Sequence, residues 1–401
     1  MMDYPIVFVP GLFGSLGNDV IKGTGDFSFG FAERVYTPFI EILNSMGYEE
    51  GVDLFISHYD WKKSVLDSVE KYLFSDVEKA KKKTGKDKVI IIGHSLGGLL
   101  GRAYMSYFNP YSVEKLIMIG TPNLGAINAY YFWSGGEVPY SKVEDNLLYN
   151  GLKLGFILYY DLFKDANHIE ALRGMFPVAK DLLPSYGYGD YLFWEDNRIK
   201  KGVSIEGMSI NNSFLNGLEN RPVDQSKLFI ISGKGSYTNK EFIVDINRKG
   251  RRKIKWADGK PINIYKTNYG DGTVTTRSTI GHLGGNKIIL EGNHTDILYK
   301  SKEHLSSILG RPLMKEVKEE KIEKVYIILT ENCDRININT STANIISNRN
   351  IEIIDSRVQA VNLAENTFGI MVAGDEDLKV EIDAKPVRRR RPKVYRTVIG
   401  K

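Results

Sequence analysis

Lys88-Val89-Ile90-Ile91-Ile92-Gly93-His94-Ser95-Leu96-Gly97-Gly98-Leu99-Leu100-Gly101-Arg102-Ala103-Tyr104 opens with a β-branched run. Branched side chains pack well on a pleated surface, so the run predicts a buried strand. Gly93 to Gly98 then turn the chain sharply, and Leu99, Leu100, Ala103 and Tyr104 fall on one side of a following helix. A G-x-S-x-G turn is a weak signal by itself. Between a buried strand and a helix it is the setting that lifts a serine hydroxyl above a sheet. Its glycines let the backbone approach where a Cβ would clash. Ser95 is therefore the candidate nucleophile, at the positive end of the helix that follows.

Upstream, Tyr4 to Val9 reads as a short buried strand, and Pro10-Gly11-Leu12-Phe13-Gly14-Ser15 as a glycine-bearing loop after it. Such a loop can aim backbone N–H groups at a developing oxyanion. Leu12, in preference to Phe13, is the expected donor, with the N–H of Leu96 as the second. Val35, Phe39, Ile42 and Leu43 recur at helical spacing in Glu33 to Met46, and Val65, Val69, Tyr72, Leu73 and Val77 do so in a long helix from Ser64 to Lys83. Asp53 to Ser57 and Val113 to Ile119 read as strands, the latter ending in Gly120-Thr121-Pro122. Strands alternating with helices over short turns predict an α/β fold, a mostly parallel sheet with helices on both faces.

After Pro122 that rhythm stops. From about Gly125 to Arg221 the chain is dense in aromatics, including Tyr130-Tyr131-Phe132-Trp133, Phe156 through Phe163 and Tyr191-Leu192-Phe193-Trp194. The stretch reads as an inserted helical cap whose aromatics mostly form its own core, with some facing an acyl pocket. Lys227 to Ser232 returns to a buried strand, Thr238 to Ile264 is compatible with a hairpin, and Lys287 to Leu290 is a last strand. A serine nucleophile needs a base and a carboxylate that orients it, in the chain order Ser, acid, His for this architecture. His294, in the loop after the last strand, is the candidate base. His94 neighbours Ser95 in sequence and is expected to serve packing or hydrogen bonding. His58, His168, His282 and His304 fall at unsuitable places along the chain. Asp271, between Gly270 and Gly272, is the candidate acid, with Asp296 its nearest rival.

Taken in order, these pieces resemble the lecithin:cholesterol acyltransferase family of α/β-hydrolases over residues 1 to about 310. Val9-Pro10-Gly11 with Gly14-Ser15 is similar to the family's oxyanion loop, and Tyr59-Asp60-Trp61-Lys62 to its Tyr-Asp-Trp-Arg stretch, with Lys in place of Arg. Gly93 to Gly97, Gly120-Thr121-Pro122 with Gly125-Ala126, Leu182-Leu183-Pro184-Ser185, Gly270 to Val274 and His294 follow in the family's order. The resemblance implies ester hydrolysis or acyl transfer on a lipid, with Ser95, Asp271 and His294 as triad. Phe13 and Trp61 are the candidate substrate-contacting residues. Trp61 has a competing reading as a packed strand-end side chain.

Composition limits the rest. The 401 residues carry a net charge of +5, small for a dedicated nucleic-acid binder. A single cysteine, Cys333, excludes an intrachain disulfide. Ile6 to Val9 reads as the first strand and not as a signal peptide, and Leu147 to Phe163, the richest apolar segment, is too interrupted to span a membrane, so a cytoplasmic location is expected. No ligand-type pairing of His or Cys points to a metal, and no cofactor is expected. The expected partners are a lipid or acyl-ester substrate and, transiently, a membrane or micelle surface. The expected organisation is a catalytic domain at 1–310 with the cap at about 125–221, a charged connector at 311–323, and a small β-rich domain at 324–401. Ile336-Asn337-Ile338-Asn339 and Leu378 to Asp383 alternate apolar and polar, as half-buried strands of a small sandwich do. Arg388 to Arg391 reads as a solvated connector in preference to an anionic-surface contact. The chemical alternatives are a hydrolase, an acyltransferase using the same residues, and a non-catalytic binding protein on the same scaffold.

Overall fold

The structure, a computed structural model, describes residues 4–19, 24–137, 169–196, 199–246, 255–317, 322–347, 350–364, 366–387 and 391–400. The apolar segment Leu147 to Phe163, His168, Lys318 to Lys321 of the charged connector and Arg388 to Arg390 lie outside the described residues. The described residues fall into two compact units: one holds 4–12, 39–137 and 169–316, the other 13–38 and 317–400.

In chain order the first strands are β1 (Ile6–Val9), β2 (Leu16–Asp19), β3 (Thr24–Ser28), β4 (Leu54–Ile56), β5 (Val89–His94), β6 (Val113–Ile119), β7 (Leu192–Asp196), β8 (Ile199–Gly202), β9 (Leu228–Lys234), β10 (Thr238–Asp245), β11 (Lys260–Thr267) and β12 (Asn286–Glu291). Six of them form one sheet in the order β4-β1-β5-β6-β9-β12, and every pairing in it is parallel. Such strands are covered on both sides, which is why β1 and β5 are apolar without alternation and buried throughout.

The faces follow from the register. Phe8 pairs with Ile92 and Val7 with Ile91, so the two pairs point to opposite sides. Phe39, on the helix Glu33–Ser45, packs its ring 5.0 Å from that of Phe8. The helix Leu96–Ala103 lies on the other face, so close that a Cβ on Gly101 would sit 2.7 Å from Leu116 and 3.0 Å from Ile91. The expected helix from Ser64 is continuous from Val65 to Thr84 with one wider turn at Val69–Leu73. The Ser64 hydroxyl accepts the N–H of Asp67 at its start, and Gly85 ends it at φ +67°. The fold is an α/β-hydrolase sheet, and it reverses strand order between β1 and β5, where such sheets place their ligands.

The cap differs in composition from the helical expectation. Helices Ala129–Gly135, Ile169–Met175, Val178–Asp181 and Ser213–Glu219 are joined by a four-stranded sheet in the order β11-β10-β7-β8. The excursion after β9 is a hairpin, β10 antiparallel to β11, and β7 pairs with β10 in parallel. Leu124, Tyr130, Tyr188, Tyr191, Phe242 and Trp256 share one buried cluster, so these aromatics are the cap's own core.

The other unit is built on β13 (Lys324–Glu331), β14 (Cys333–Asn339), β15 (Ala343–Ser347), β16 (Ile351–Glu352), β17 (Val358–Ala364), β18 (Thr367–Gly374), β19 (Glu381–Pro386) and β20 (Lys393–Gly400). Two antiparallel sheets, β17-β18-β13-β20 and β16-β15-β14-β19, enclose a core that includes Ile328, Phe368 and Ile370 from one and Ile336, Ile338 and Ile346 from the other. This is the expected sandwich. It also holds residues far upstream: β2 and β3 form a hairpin, Arg34 Nη2 donates to the Ser356 carbonyl at 2.6 Å, and Gln359 Nε2 donates to Glu33 Oε2 at 3.3 Å. Among the described residues, no helix is long and apolar enough to cross a membrane.

Candidate active site

The site begins where β5 ends. Ser95 has φ +52° and ψ −121°, a backbone region that costs a residue with a Cβ of order 1–3 kcal/mol and persists only where packing dictates it. Three glycines dictate it here. A Cβ on Gly97 would lie 2.1 Å from the Val9 carbonyl oxygen, one on Gly98 would lie 1.8 Å from Thr121 Oγ1, and one on Gly93 would lie 2.5 Å from the Gly97 backbone. The Ser95 N–H is taken by the Ile119 carbonyl at 2.8 Å. The side chain is left at the start of the helix Leu96–Ala103, and the residue is 9% exposed. Leu96 is the first residue of that helix, where N–H groups have no intrahelical acceptor.

Val9 pairs with Gly93, so the loop after β1 leaves the sheet beside the elbow. Tyr59, buried, donates its hydroxyl to the Pro10 carbonyl at 2.8 Å and so anchors the approach to Leu12. That explains a tyrosine in the Tyr59-Asp60-Trp61-Lys62 stretch, a role the sequence reading does not identify. Phe13, the next residue after Leu12, is half-buried at φ +65°. Trp61 is 5% exposed and stacks on Phe176 with centroids 5.8 Å apart. Beside it, Lys62 Nζ lies 3.2 Å from Asp60 Oδ1.

Asp271 does not directly follow β9 in the chain, because the β10–β11 hairpin intervenes. The chain returns through the Gly235 N–H to the Asn268 carbonyl at 2.7 Å and the Ser236 N–H to the Gly270 carbonyl at 3.1 Å. Asp271 Oδ1 accepts the N–H groups of Thr273 at 2.9 Å and Val274 at 2.7 Å. Its Oδ2 faces His294 Nδ1 at 2.7 Å, and both residues are 0% exposed. A carboxylate only accepts, so the ring proton sits on Nδ1 and Nε2 is left as the basic nitrogen. Thr238 Oγ1 accepts the Gly272 N–H at 2.8 Å and steadies the turn, a second role that no local pattern announces. A Cβ on Gly233 would lie 2.6 Å from Asp271 Cβ, and one on Gly120, at φ +61°, would lie 3.1 Å from His294 Cε1. The strand ends beneath the pair are therefore cleared of side chains.

Two hydrogen bonds join two loops and the end of β5: Asp271 to the His294 ring, and His94 Nε2 to the His294 carbonyl at 2.9 Å. Asp296 instead begins a short helix, its N–H bonded to Asn293 Oδ1 at 3.0 Å. His282 bonds the Gly187 carbonyl, and burial pushes His58 down to about 4. Among the described residues, no group of three or more His, Cys, Asp or Glu is placed to hold a metal ion.

Comparison with known proteins adds a family. Residues 28–149 match the model of the lecithin:cholesterol acyltransferase family, a span that includes the elbow but neither Asp271 nor His294. Phospholipase A(1) LCAT3 of Arabidopsis thaliana is 40% identical over 92 residues, which are 22% of this chain and 20% of that protein. The match thus spans about a fifth of that relative's length. Among solved structures, the propeptide form of Bacillus licheniformis lipase BlEst2 is similar across 99% of this chain and 74% of that one, with TM-score 0.41 and 14% identity. A chain of the Tle4-Tli4 complex is similar across 77% of this chain and 97% of that one, with TM-score 0.46 and 13% identity.

Proposed function

We propose, for a chain whose residues 28–149 match the lecithin:cholesterol acyltransferase family model, that Ser95, His294 and Asp271 cleave carboxylic esters of lipids through an acyl-enzyme. The observation that carries this reading is the 2.7 Å bond between two fully buried groups, Asp271 and His294, on the sheet rim that also bears the strained Ser95. Asp271 holds the ring in the tautomer whose Nε2 carries no hydrogen and can take a proton. As Ser95 Oγ attacks the ester carbonyl, His294 accepts its proton. The N–H groups of Leu12 and Leu96 hold the oxyanion, each worth about 3 kcal/mol when preorganised. His294 then protonates the leaving alcohol, and water enters to release the acid.

A lipid ester brings the protein transiently to a membrane or micelle surface. The family match also supports the acyltransferase reading, in which an alcohol replaces water at the second step. Product analysis with and without an alcohol acceptor separates the two. The test of the site is Ser95→Ala on the full chain, assayed with a chromogenic acyl ester. Turnover should fall at least about 10⁴-fold with the melting temperature little changed. Turnover at the wild-type rate would remove Ser95 from the reaction.

A further inference from the structure

The loop that carries His294 has a long distance to cover. In the order β4-β1-β5-β6-β9-β12, the strand before that loop is three places from β5, which ends at the elbow. At about 4.8 Å per strand, the loop must return across β9 and β6, roughly 14 Å, to serve Ser95. Its first step is fixed on β9, where the Gly292 N–H bonds the Lys234 carbonyl at 3.0 Å. Its path is cleared by glycines at the two strand ends it crosses: a Cβ on Gly233 would lie 2.9 Å from the Gly292 carbonyl oxygen, and one on Gly120 would lie 3.1 Å from the His294 ring. Asn293 Oδ1 accepts the N–H groups of Thr295 and Asp296 at 3.1 and 3.0 Å and folds the loop tip on itself. At the far end the contact is with His94, the last residue of β5. Its Nε2 lies 2.9 Å from the His294 carbonyl oxygen, and the two rings are 4.8 Å apart at 44°.

We propose that His94 is a positioning residue for His294: its Nε2–H pins the far end of the crossing loop to the end of β5, and so sets where the base stands relative to the neighbouring Ser95. This rests on the reading of His294 as the general base. A carbonyl only accepts, so Nε2 of His94 must carry hydrogen. Burial, and then the adjacent His294, lower the His94 pKa well below the ordinary imidazole value, so the ring is neutral. Neutrality suits the task. His294 becomes a cation when it takes the Ser95 proton, and a second cation one ring away would oppose that step. A buried donor on the residue next to the nucleophile thus ties base to nucleophile through two backbones, without touching substrate.

The test compares His94→Phe, which keeps the ring's bulk and loses the donor, with His94→Gln, whose amide can reach the same carbonyl. Both are made in the full chain and assayed with the chromogenic ester. His94→Phe should lower kcat about 100-fold with KM within twofold, because a misplaced base costs on that order. His94→Gln should recover at least tenfold of the loss. A kcat for His94→Phe within threefold of wild type, with Ser95→Ala inactive, overturns the inference and leaves the triad standing. Equal losses in both variants, with parallel drops in melting temperature, reduce His94 to packing and also overturn it. Turnover in Ser95→Ala removes the site reading and this inference together. Should neither His94 variant fold, nitrogen NMR of the wild-type histidines decides. His94 should stay neutral with its proton on Nε2 at pH 7, and a cationic ring or an Nδ1 proton overturns the assignment.

Discussion

Two regions of the molecule bury polar groups deeply, and only one reads as a site. On the sheet rim, Asp271, His294 and His94 are linked by bonds of 2.7 and 2.9 Å. In the C-terminal sandwich, Asn344 is as fully buried, and its amide is spent on backbone. Its Nδ2 donates to the carbonyls of Ile338 and Thr342, and its Oδ1 accepts the N–H groups of Ile354 and Asp355. Asp355 in turn faces Arg357 at 2.6 to 3.1 Å and takes the Thr340 hydroxyl, and hydrogen bonds from Arg357 hold its carboxyl well below the usual carboxylate range. The second network contains charge and burial but closes on itself, with a guanidinium that keeps its proton. The first orders a carboxylate and an imidazole that can gain and lose one, beside a serine in a strained backbone. Buried polarity by itself is therefore no marker of chemistry. A proton-carrying ring, a strained neighbour and glycines that clear the ground around both are the marker.

The largest expected effect tests the rim. Asp271→Asn keeps the shape and the Asx turn but no longer demands the Nδ1 proton, so His294 can adopt the wrong tautomer. Turnover of the acyl ester should fall about 10⁴-fold with little change in melting temperature. A loss below tenfold would erase the contrast between the two networks. The sandwich should respond in the opposite currency. Asn344→Ala strands two buried N–H groups and two carbonyls, and should lower stability by about 3 kcal/mol with kcat unchanged at 25 °C. Urea unfolding and the same ester assay measure both, and a tenfold fall in kcat without a stability change would break the comparison.

The elbow of the rim was legible from the sequence because its pattern is local. The strand-turn-helix pattern shows directly in residues 88–104, although only Gly93 is constrained within that turn, while Gly97 and Gly98 answer to Val9 and Thr121 at neighbouring strand ends. The alternation at Ile336 to Asn339 likewise lies in β14, while that at Leu378 to Asp383 begins three residues ahead of β19. What stayed hidden depends on distant pairing. Tyr59 meets the Pro10 carbonyl across 49 positions and Gly272 meets Thr238 across 34. β7 finds a parallel partner in β10 beyond an intervening sheet strand. Residues 13–38 fold with a sandwich that starts about 290 positions later. Periodicity reports which face of an element is buried but not what buries it.

A third buried carboxylate sharpens the comparison with the smallest effect. Asp181 ends a short cap helix and its Oδ2 accepts the Val65 N–H at 2.8 Å. It has neither the imidazole of Asp271 nor the guanidinium of Asp355. Burial raises its pKa from 3.8 to about 6, against smaller opposing effects from that N–H and Lys180. The folded state therefore holds the proton more tightly than the unfolded chain. The stability this confers is complete below about pH 4 and is lost as pH rises through 6, so at neutral pH the charged form is a burden. Asp181→Asn retains an oxygen for Val65 and removes the charge. It should stabilise the protein by about 2 kcal/mol at pH 8 and leave it unchanged near pH 3.5, as urea midpoints at the two pH values will show. If the variant is instead destabilised at pH 8, the Asp181 carboxylate is doing what those of Asp271 and Asp355 do, through a cation or donor that compensates its burial.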